Sequence, residues 1–272
     1  MFDPESNRSS KRHWNALPVG SQRSQSEPGT LDYFEDIRTY RYGYETPFLP
    51  GWISSLLPQG KRVLEIGVGN GVDGVQLASH GANYVGLDIT ERHLELTKRY
   101  FELGGLKPES LIEGDLLQQQ MNGSFDLIYS FGVLHHIEHE EEYLHCLRGF
   151  LAPGGHLAVG LYANMSFFNA YLLVTWVLKN RMRIPLNAWR SHLSELSPLE
   201  QPLVIKIRSR REIQAMLERT GFRVLDYKKR GFVQGYLPGL GRHLEPDGSA
   251  LSVLGSLFGW YHLFVCESSS SE

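Results

Sequence analysis

Residues 62–71 read Arg62-Val63-Leu64-Glu65-Ile66-Gly67-Val68-Gly69-Asn70-Gly71. A short aliphatic run stops at three glycines spaced two apart. The run has the character of a buried strand, and the glycines form a turn in which backbone amides approach a ligand closely. Asp73 to His80 then reads as a helix, with Val75, Leu77 and Ala78 apolar. The alternation repeats outward. Tyr84 to Leu87 is a strand ended by Asp88, and Thr90 caps a helix through Leu103. Leu111-Ile112 begins a third strand, ended by Gly114-Asp115, and Phe125 to Ser130 is a fourth. A helix over Glu138 to Phe150, a Pro153-Gly154-Gly155 turn and a strand over His156 to Leu161 follow. Past residues 162–208, Ser209 opens a helix through Thr220. Phe222 to Tyr227 and Trp260 to Val265 complete seven strands.

Strand and helix in alternation specify an α/β fold. The expectation is a Rossmann-like, doubly wound, seven-stranded and mostly parallel sheet with helices on both faces. Its ligand crevice lies at the strand carboxyl ends. One domain is expected over 31–267, with an N-terminal helical cap at 31–58 and a helical insertion at 162–208 after strand five. Residues 1–30, rich in Ser, Arg, Gln, Pro and Gly, read as a flexible tail, as do 268–272.

Composition narrows the function. The chain has 272 residues, 42% of them hydrophobic, enough apolar surface to exclude a mainly disordered protein. Lys and Arg total 27 against 30 Asp and Glu, a net charge of −3, which argues against a dedicated nucleic-acid binder. A nucleoside-bearing cofactor stays open. Cys146 and Cys266 are the only cysteines, far apart, so neither a disulfide framework nor a metal site is supported. The N-terminus carries no apolar secretory segment, and the apolar stretch Phe167 to Leu178 is too short to span a bilayer. A cytoplasmic protein is expected.

Three acids end three successive elements of this pattern. Glu65 stands two residues before the first glycine, where a carboxylate suits a cationic ligand better than a phosphate. The dinucleotide fingerprint needs its third glycine at position 72, which is Val72. Asp88, about 20 residues past the loop, is placed to accept both hydroxyls of a ribose, or else to cap the next helix. Asp115 is placed to accept from an adenine amino group, or is an ordinary turn residue.

Together the stretches VLEIGVGNGVDGVQLASHGA, VGLDITERHLELTKRYFEL, IEGDLLQQ, FDLIYSFGVLHHIEHEEEYLHCLRGFLAPGGHL and AMLERTGF resemble the class I S-adenosylmethionine-dependent methyltransferase family, in its small-molecule branch related to the ubiquinone/menaquinone C-methyltransferases. The likeness is close over 60–160 and looser over 209–227. It implies S-adenosyl-L-methionine as cofactor and S-adenosyl-L-homocysteine as product. It implies that Gly67, Gly69 and Gly71 pass under the methionine end, with Glu65 organising the loop. Asp88 would hold the ribose and Ile89 pack on the adenine, with Asp115 and Leu116 at the adenine amino group. Ser130 and Phe131 would offer carbonyls to the methionine ammonium, and Arg41 or Tyr42 would reach its carboxylate. Strand four runs into Ser130-Phe131-Gly132-Val133-Leu134-His135-His136, not an Asn/Asp-Pro-Pro-Tyr motif, which disfavours methylation of base nitrogens. No acidic constellation supports a magnesium-dependent reaction, and no metal is expected.

Methyl transfer is in-line displacement at an activated carbon, so alignment is the main demand, and a base is needed only for a protonated nucleophile. His135 is the candidate base, with a helix-capping role as its alternative. His136, Tyr162 and Asn164 are candidates to face the acceptor. The apolar helix from Phe167, followed by Lys179, Arg181 and Arg183, reads as a lid, a dimer face, an interfacial membrane contact over 167–183 or a helix buried on the domain. Residues 231–248, rich in Gly and Pro, read as a long mobile loop. The expected activity is methylation of a small-molecule metabolite or natural product. A non-catalytic cofactor-binding partner subunit and a sulfonium-assisted cyclase are the alternatives.

Overall fold

The computed structural model describes residues 7–119, 121 and 123–269. Its seven strands are β1 (Arg62–Ile66), β2 (Asn83–Asp88), β3 (Ser110–Glu113), β4 (Phe125–Phe131), β5 (Leu151–Tyr162), β6 (Phe222–Arg230) and β7 (Tyr261–Ser268). They form one sheet in the order β3-β2-β1-β4-β5-β7-β6, with β7 antiparallel to both neighbours. The strand order reverses between β1 and β4, where a crevice opens at the carboxyl ends.

The central strands read as unbroken apolar runs because each buries both faces. Leu64, Ile128 and Leu157 point into one core layer, beside Leu144, Leu217 and Phe264. Their chain neighbours Val63, Leu127 and Ala158 point into the opposite layer, against Phe48, Trp52 and Ile53. Each Val, Leu, Ile or Phe side chain among them contributes about 1.5–3 kcal/mol on burial.

Ten helices are described: α1 (Arg8–Ala16), α2 (Leu31–Tyr40), α3 (Leu49–Ser55), α4 (Val72–Ser79), α5 (Glu91–Leu103), α6 (Glu140–Phe150), α7 (Phe167–Val174), α8 (Trp189–Glu195), α9 (Arg210–Arg219) and α10 (Ser249–Phe258). Polar caps set their starts. Thr90 accepts from the His93 amide ahead of α5, and Ser209 and Glu212 form a reciprocal capping box ahead of α9.

The chain departs from expectation in four places. Residues 7–30 are not a loose tail. Helix α1 packs on α5, Lys11 pairs with Glu113 at 2.8 Å, and Asn15 accepts from the Arg92 amide. His13 is buried as well, and its burial together with these long-range bonds offsets the polar composition of the segment. The Pro153-Gly154-Gly155 stretch belongs to an irregular start of β5, where the pairing with β4 shifts register. Residues 231–248 contain two short 3₁₀ turns, Gln234–Tyr236 and Gly241–His243, and α10 follows. At the carboxyl end the Ser269 amide bonds to the Gly221 carbonyl, continuing the chain beyond β7; residues 270–272, also expected as tail, and 1–6 lie outside the described residues.

Residues 162–208 hold α7 and α8, which build a small core of Leu172, Ile184, Ala188 and Trp189. Trp176 stacks on Trp189 with ring centroids 5.1 Å apart. No described helix is long and apolar enough to cross a membrane.

Candidate active site

A cavity of about 260 Å³ occupies the crevice where β1, β2, β4 and β5 end, and residues from the N-terminal segment wall its outer side. Gly67, Gly69 and Gly71 all adopt positive φ, at 78°, 54° and 78°. A Cβ at Gly67 would lie 2.3 Å from a Val133 methyl, so the turn there admits only glycine. Gly67 and Gly69 line the cavity, whereas Gly71 caps α4, where a Cβ would lie 2.9 Å from the Thr97 backbone. Gly71 therefore serves packing. Beside the turn, Glu65 accepts from the Tyr84 hydroxyl at 2.5 Å. Burial, reinforced by the neighbouring Asp73 charge, pushes its carboxyl well above the usual range.

Asp88 ends β2 on the cavity wall. Its Oδ1 accepts from the Thr90 amide and hydroxyl, both at 2.8 Å, and its Oδ2 from His93 Nδ1 at 3.2 Å. Burial works to raise its pKa, but the His93 and Thr90 donors outweigh it and hold the carboxylate below its ordinary value. Because His93 Nε2 accepts from the Val19 amide at 3.3 Å, its proton sits on Nδ1 and the ring is oriented toward Asp88. The Val19 carbonyl in turn accepts from Asn70, which joins the N-terminal segment to the glycine turn. Val19, Asn70 and His93 were not picked out from sequence, and only the position of His93 in the first turn after Thr90 hinted at it.

Ile89 and Phe131 line the cavity. Leu116 does not; it is fully buried in the core beneath. Asp115 also lies behind the wall, because Asn7 donates to it at 2.5 Å and the Tyr143 hydroxyl donates to it as well. Asn7 and Tyr143 are the residues that face the cavity there. Ser130 is buried, its hydroxyl 3.4 Å from the Ile66 carbonyl, and stays outside the lining.

Residues Arg41–Glu45 form a π turn, closed by the Thr46 amide on the Arg41 carbonyl at 2.7 Å. The wide turn re-aims its side chains. Arg41 and Glu45 line the cavity, while Tyr42 does not, its hydroxyl donating to Asp73 at 2.8 Å. Arg41 binds the same carboxylate through Nε at 2.9 Å and Nη2 at 2.6 Å, and Tyr129 adds a third donor at 2.9 Å. Of the alternatives Arg41 or Tyr42, Arg41 alone is placed to meet a ligand.

The two histidines separate. His135 is fully buried, neither ring nitrogen has a partner among the described residues, and its ring stacks on Tyr162 with centroids 3.5 Å apart. Burial holds it neutral, and it does not line the cavity, so it has no access to an acceptor. His136 does line the cavity. Its Nδ1 lies 2.8 Å from the Val204 carbonyl, which can only accept, so the proton is on Nδ1 and Nε2 keeps its lone pair. Burial lowers its pKa to about 4. Tyr162 lines the cavity and donates to Glu195 at 2.9 Å. Asn164 sits apart, accepting from the Met165 amide at 2.6 Å. Glu195 ends α8 and Glu45 ends the π turn, and neither position carries a signal in the sequence.

The family model described as "Methyltransferase domain" matches residues 34–227. The chain belongs to this methyltransferase family. A ubiquinone biosynthesis O-methyltransferase of Ralstonia nicotianae is 26% identical over 145 residues, which cover 49% of this chain and 61% of the relative. An S-adenosyl-L-methionine-dependent Diels-Alderase of Talaromyces variabilis is 30% identical over 136 residues, covering 48% of this chain and 45% of the relative. The chain thus spans less than two thirds of the length of either relative. The magnesium protoporphyrin IX methyltransferase of Synechocystis PCC 6803, solved with bound S-adenosylmethionine, superposes with a TM-score of 0.58 at 13% identity over 99% of both chains, and shares the fold.

S-adenosylmethionine is the cofactor of this methyltransferase family, and the residues present fit it. The turn at Gly67 and Gly69 exposes backbone to the cavity, and Asp88 stands at its wall. Asn70 Oδ1 is buried with no partner among the described residues, an acceptor left for a ligand donor.

Proposed function

We propose that the chain methylates a hydroxyl on a small-molecule acceptor, using S-adenosylmethionine. The observation that carries this reading is His136, a neutral imidazole on the cavity wall whose Nε2 has a free lone pair. The cofactor supplies a methyl group activated on a sulfonium. Asp88 and the backbone at Gly67 and Gly69 would hold its nucleoside and amino-acid ends, with Arg41 toward its carboxylate. Phe131 and Tyr261, with ring centroids 4.7 Å apart, supply apolar walls that exclude water from the transfer. Bound there, the cofactor would give its methyl group to the acceptor oxygen and would keep the electron pair of the carbon–sulfur bond on sulfur. The hydroxyl proton passes to Nε2 of His136, which the Val204 carbonyl holds in the right tautomer. The similarity to an O-methyltransferase supports oxygen as the acceptor atom.

The test incubates the protein with methyl-labelled S-adenosylmethionine and a panel of phenols and aliphatic alcohols. Label appearing in an ether product supports the reading; label appearing only in amine or carbon-linked products, or in none, refutes it. The similarity to a Diels-Alderase favours one second reading, in which the bound cofactor assists a cyclisation and is not consumed. Ring closure of a polyene without loss of S-adenosylmethionine would establish it.

A further inference from the structure

The acceptor end of the cavity carries more negative charge than hydroxyl methylation requires. Glu45 and Glu195 both line it, and neither forms an ion pair among the described residues. Glu195 accepts from the Tyr162 hydroxyl at 2.9 Å, and Glu45 makes no hydrogen bond among the described residues. Loss of solvation is the main cause that raises both carboxyls above the usual range, and at Glu45 the Glu195 charge adds to it while Arg41 opposes it. Tyr261, only 7% exposed, lines the same space, and its hydroxyl makes no hydrogen bond among the described residues. Its ring and that of Tyr162 stand 5.7 Å apart, beside Phe131.

Arg41 and Arg23 offset part of the charge at Glu45, while no cation acts on Glu195. Arg41 is engaged by Asp73, and Arg23, exposed, lies over the Tyr40 ring at 4.0 Å. Glu45 is exposed and Glu195 half-buried, and neither has a counter-ion within ion-pair distance among the described residues, so the two on one cavity wall are complementary to an entering cation. An ammonium brings three donors and no acceptor, and aromatic faces attract it further. A carboxylate ligand would meet repulsion at the same place.

We infer that this end of the cavity seats a cationic amine carried by the acceptor, with Glu45 and Glu195 pairing to the ammonium and the Tyr261 hydroxyl and neighbouring rings completing the seat. The inference deepens the methyl-transfer reading and rests on it for placing the acceptor beside the cofactor.

The test uses three ligands matched in size: 2-phenylethylamine, 2-phenylethanol and phenylacetate. Each is titrated calorimetrically into the full chain saturated with S-adenosylhomocysteine. The amine should bind at least about tenfold more tightly than the alcohol, equivalent to about 1.4 kcal/mol, and phenylacetate weakest of all. The Glu45→Gln/Glu195→Gln double variant should lose the preference while keeping its S-adenosylhomocysteine affinity; if it does not fold, Glu195→Gln alone carries the comparison. Equal binding of the three, no binding of any, or a preference that survives the substitutions overturns the inference. So does a selective loss of S-adenosylmethionine affinity relative to S-adenosylhomocysteine, which would assign the carboxylates to the sulfonium. If S-adenosylhomocysteine itself does not bind, the methyl-transfer reading fails, and the same titrations on the ligand-free chain then decide the amine seat.

Discussion

Arg41 grips Asp73 with two parallel hydrogen bonds, 2.9 and 2.6 Å long, and so ties the π turn to the first turn of α4. Burial works to raise the Asp73 pKa, but the guanidinium and the Tyr42 and Tyr129 hydroxyls outweigh it and hold the carboxyl below its usual value. The same grip aims Arg41 at the cavity.

Arg41→Ala would strand a carboxylate whose side chain is 5% exposed. The expected loss is about 3–5 kcal/mol of stability, read by chemical denaturation. Arg41→Lys keeps the charge but not the fork, and should recover only part of it. A denaturation midpoint unchanged in Arg41→Ala contradicts this role.

The histidine pair gives opposite expectations for adjacent residues. His136→Ala should lower turnover about 10²–10⁴-fold, the range for a lost general base, with S-adenosylhomocysteine affinity nearly unchanged. His135→Ala, in a fully buried and unpartnered position, should act on stability through the cavity it leaves, and the folded variant should turn over within about threefold of wild type, well below that range. The reverse pattern would restore His135 as the base.

The buried histidines also set an acid limit. His136 and His262 titrate at about 4 in the folded chain because burial disfavours their charged forms. In the unfolded chain they titrate near about 6.5, so the unfolded state binds more protons between these values. Stability should be fully present above about pH 6.5 and fall as the pH drops toward 4. Denaturation midpoints across this range should decline in wild type and flatten in His136→Gln/His262→Gln. Equal slopes would contradict the assignment.

The sheet was legible because its strands are short, apolar and punctuated by Gly and Asp, and the parallel order follows from the helices between them. The glycine turn, Asp88, Ile89 and Phe131 were legible for the same reason: each sits where a strand ends. Leu116, Asp115, Ser130 and Tyr42 were misplaced by one layer, because sequence position fixes the end of a strand but not which side chain another residue covers. Asn7 and Tyr143 cover Asp115, and Asp73 draws Tyr42 away from the cavity. The N-terminal segment was misread because its polar composition hides specific long-range bonds, from Asn7 to Asp115 and from Val19 to His93. Glu195 had no local signal, since its partner Tyr162 lies 33 residues away.

The central claim is that the crevice at Gly67, Gly69 and Asp88 holds S-adenosylmethionine, and calorimetric titration of S-adenosylhomocysteine into wild type and Asp88→Ala tests it most directly. Wild type should bind with an affinity of the order of micromolar, about −8 kcal/mol, and the variant should lose about 1–3 kcal/mol, the range for an unpaired polar partner. No binding of S-adenosylhomocysteine by wild type, with tight binding of NAD in its place, or an affinity untouched by Asp88→Ala, would contradict it.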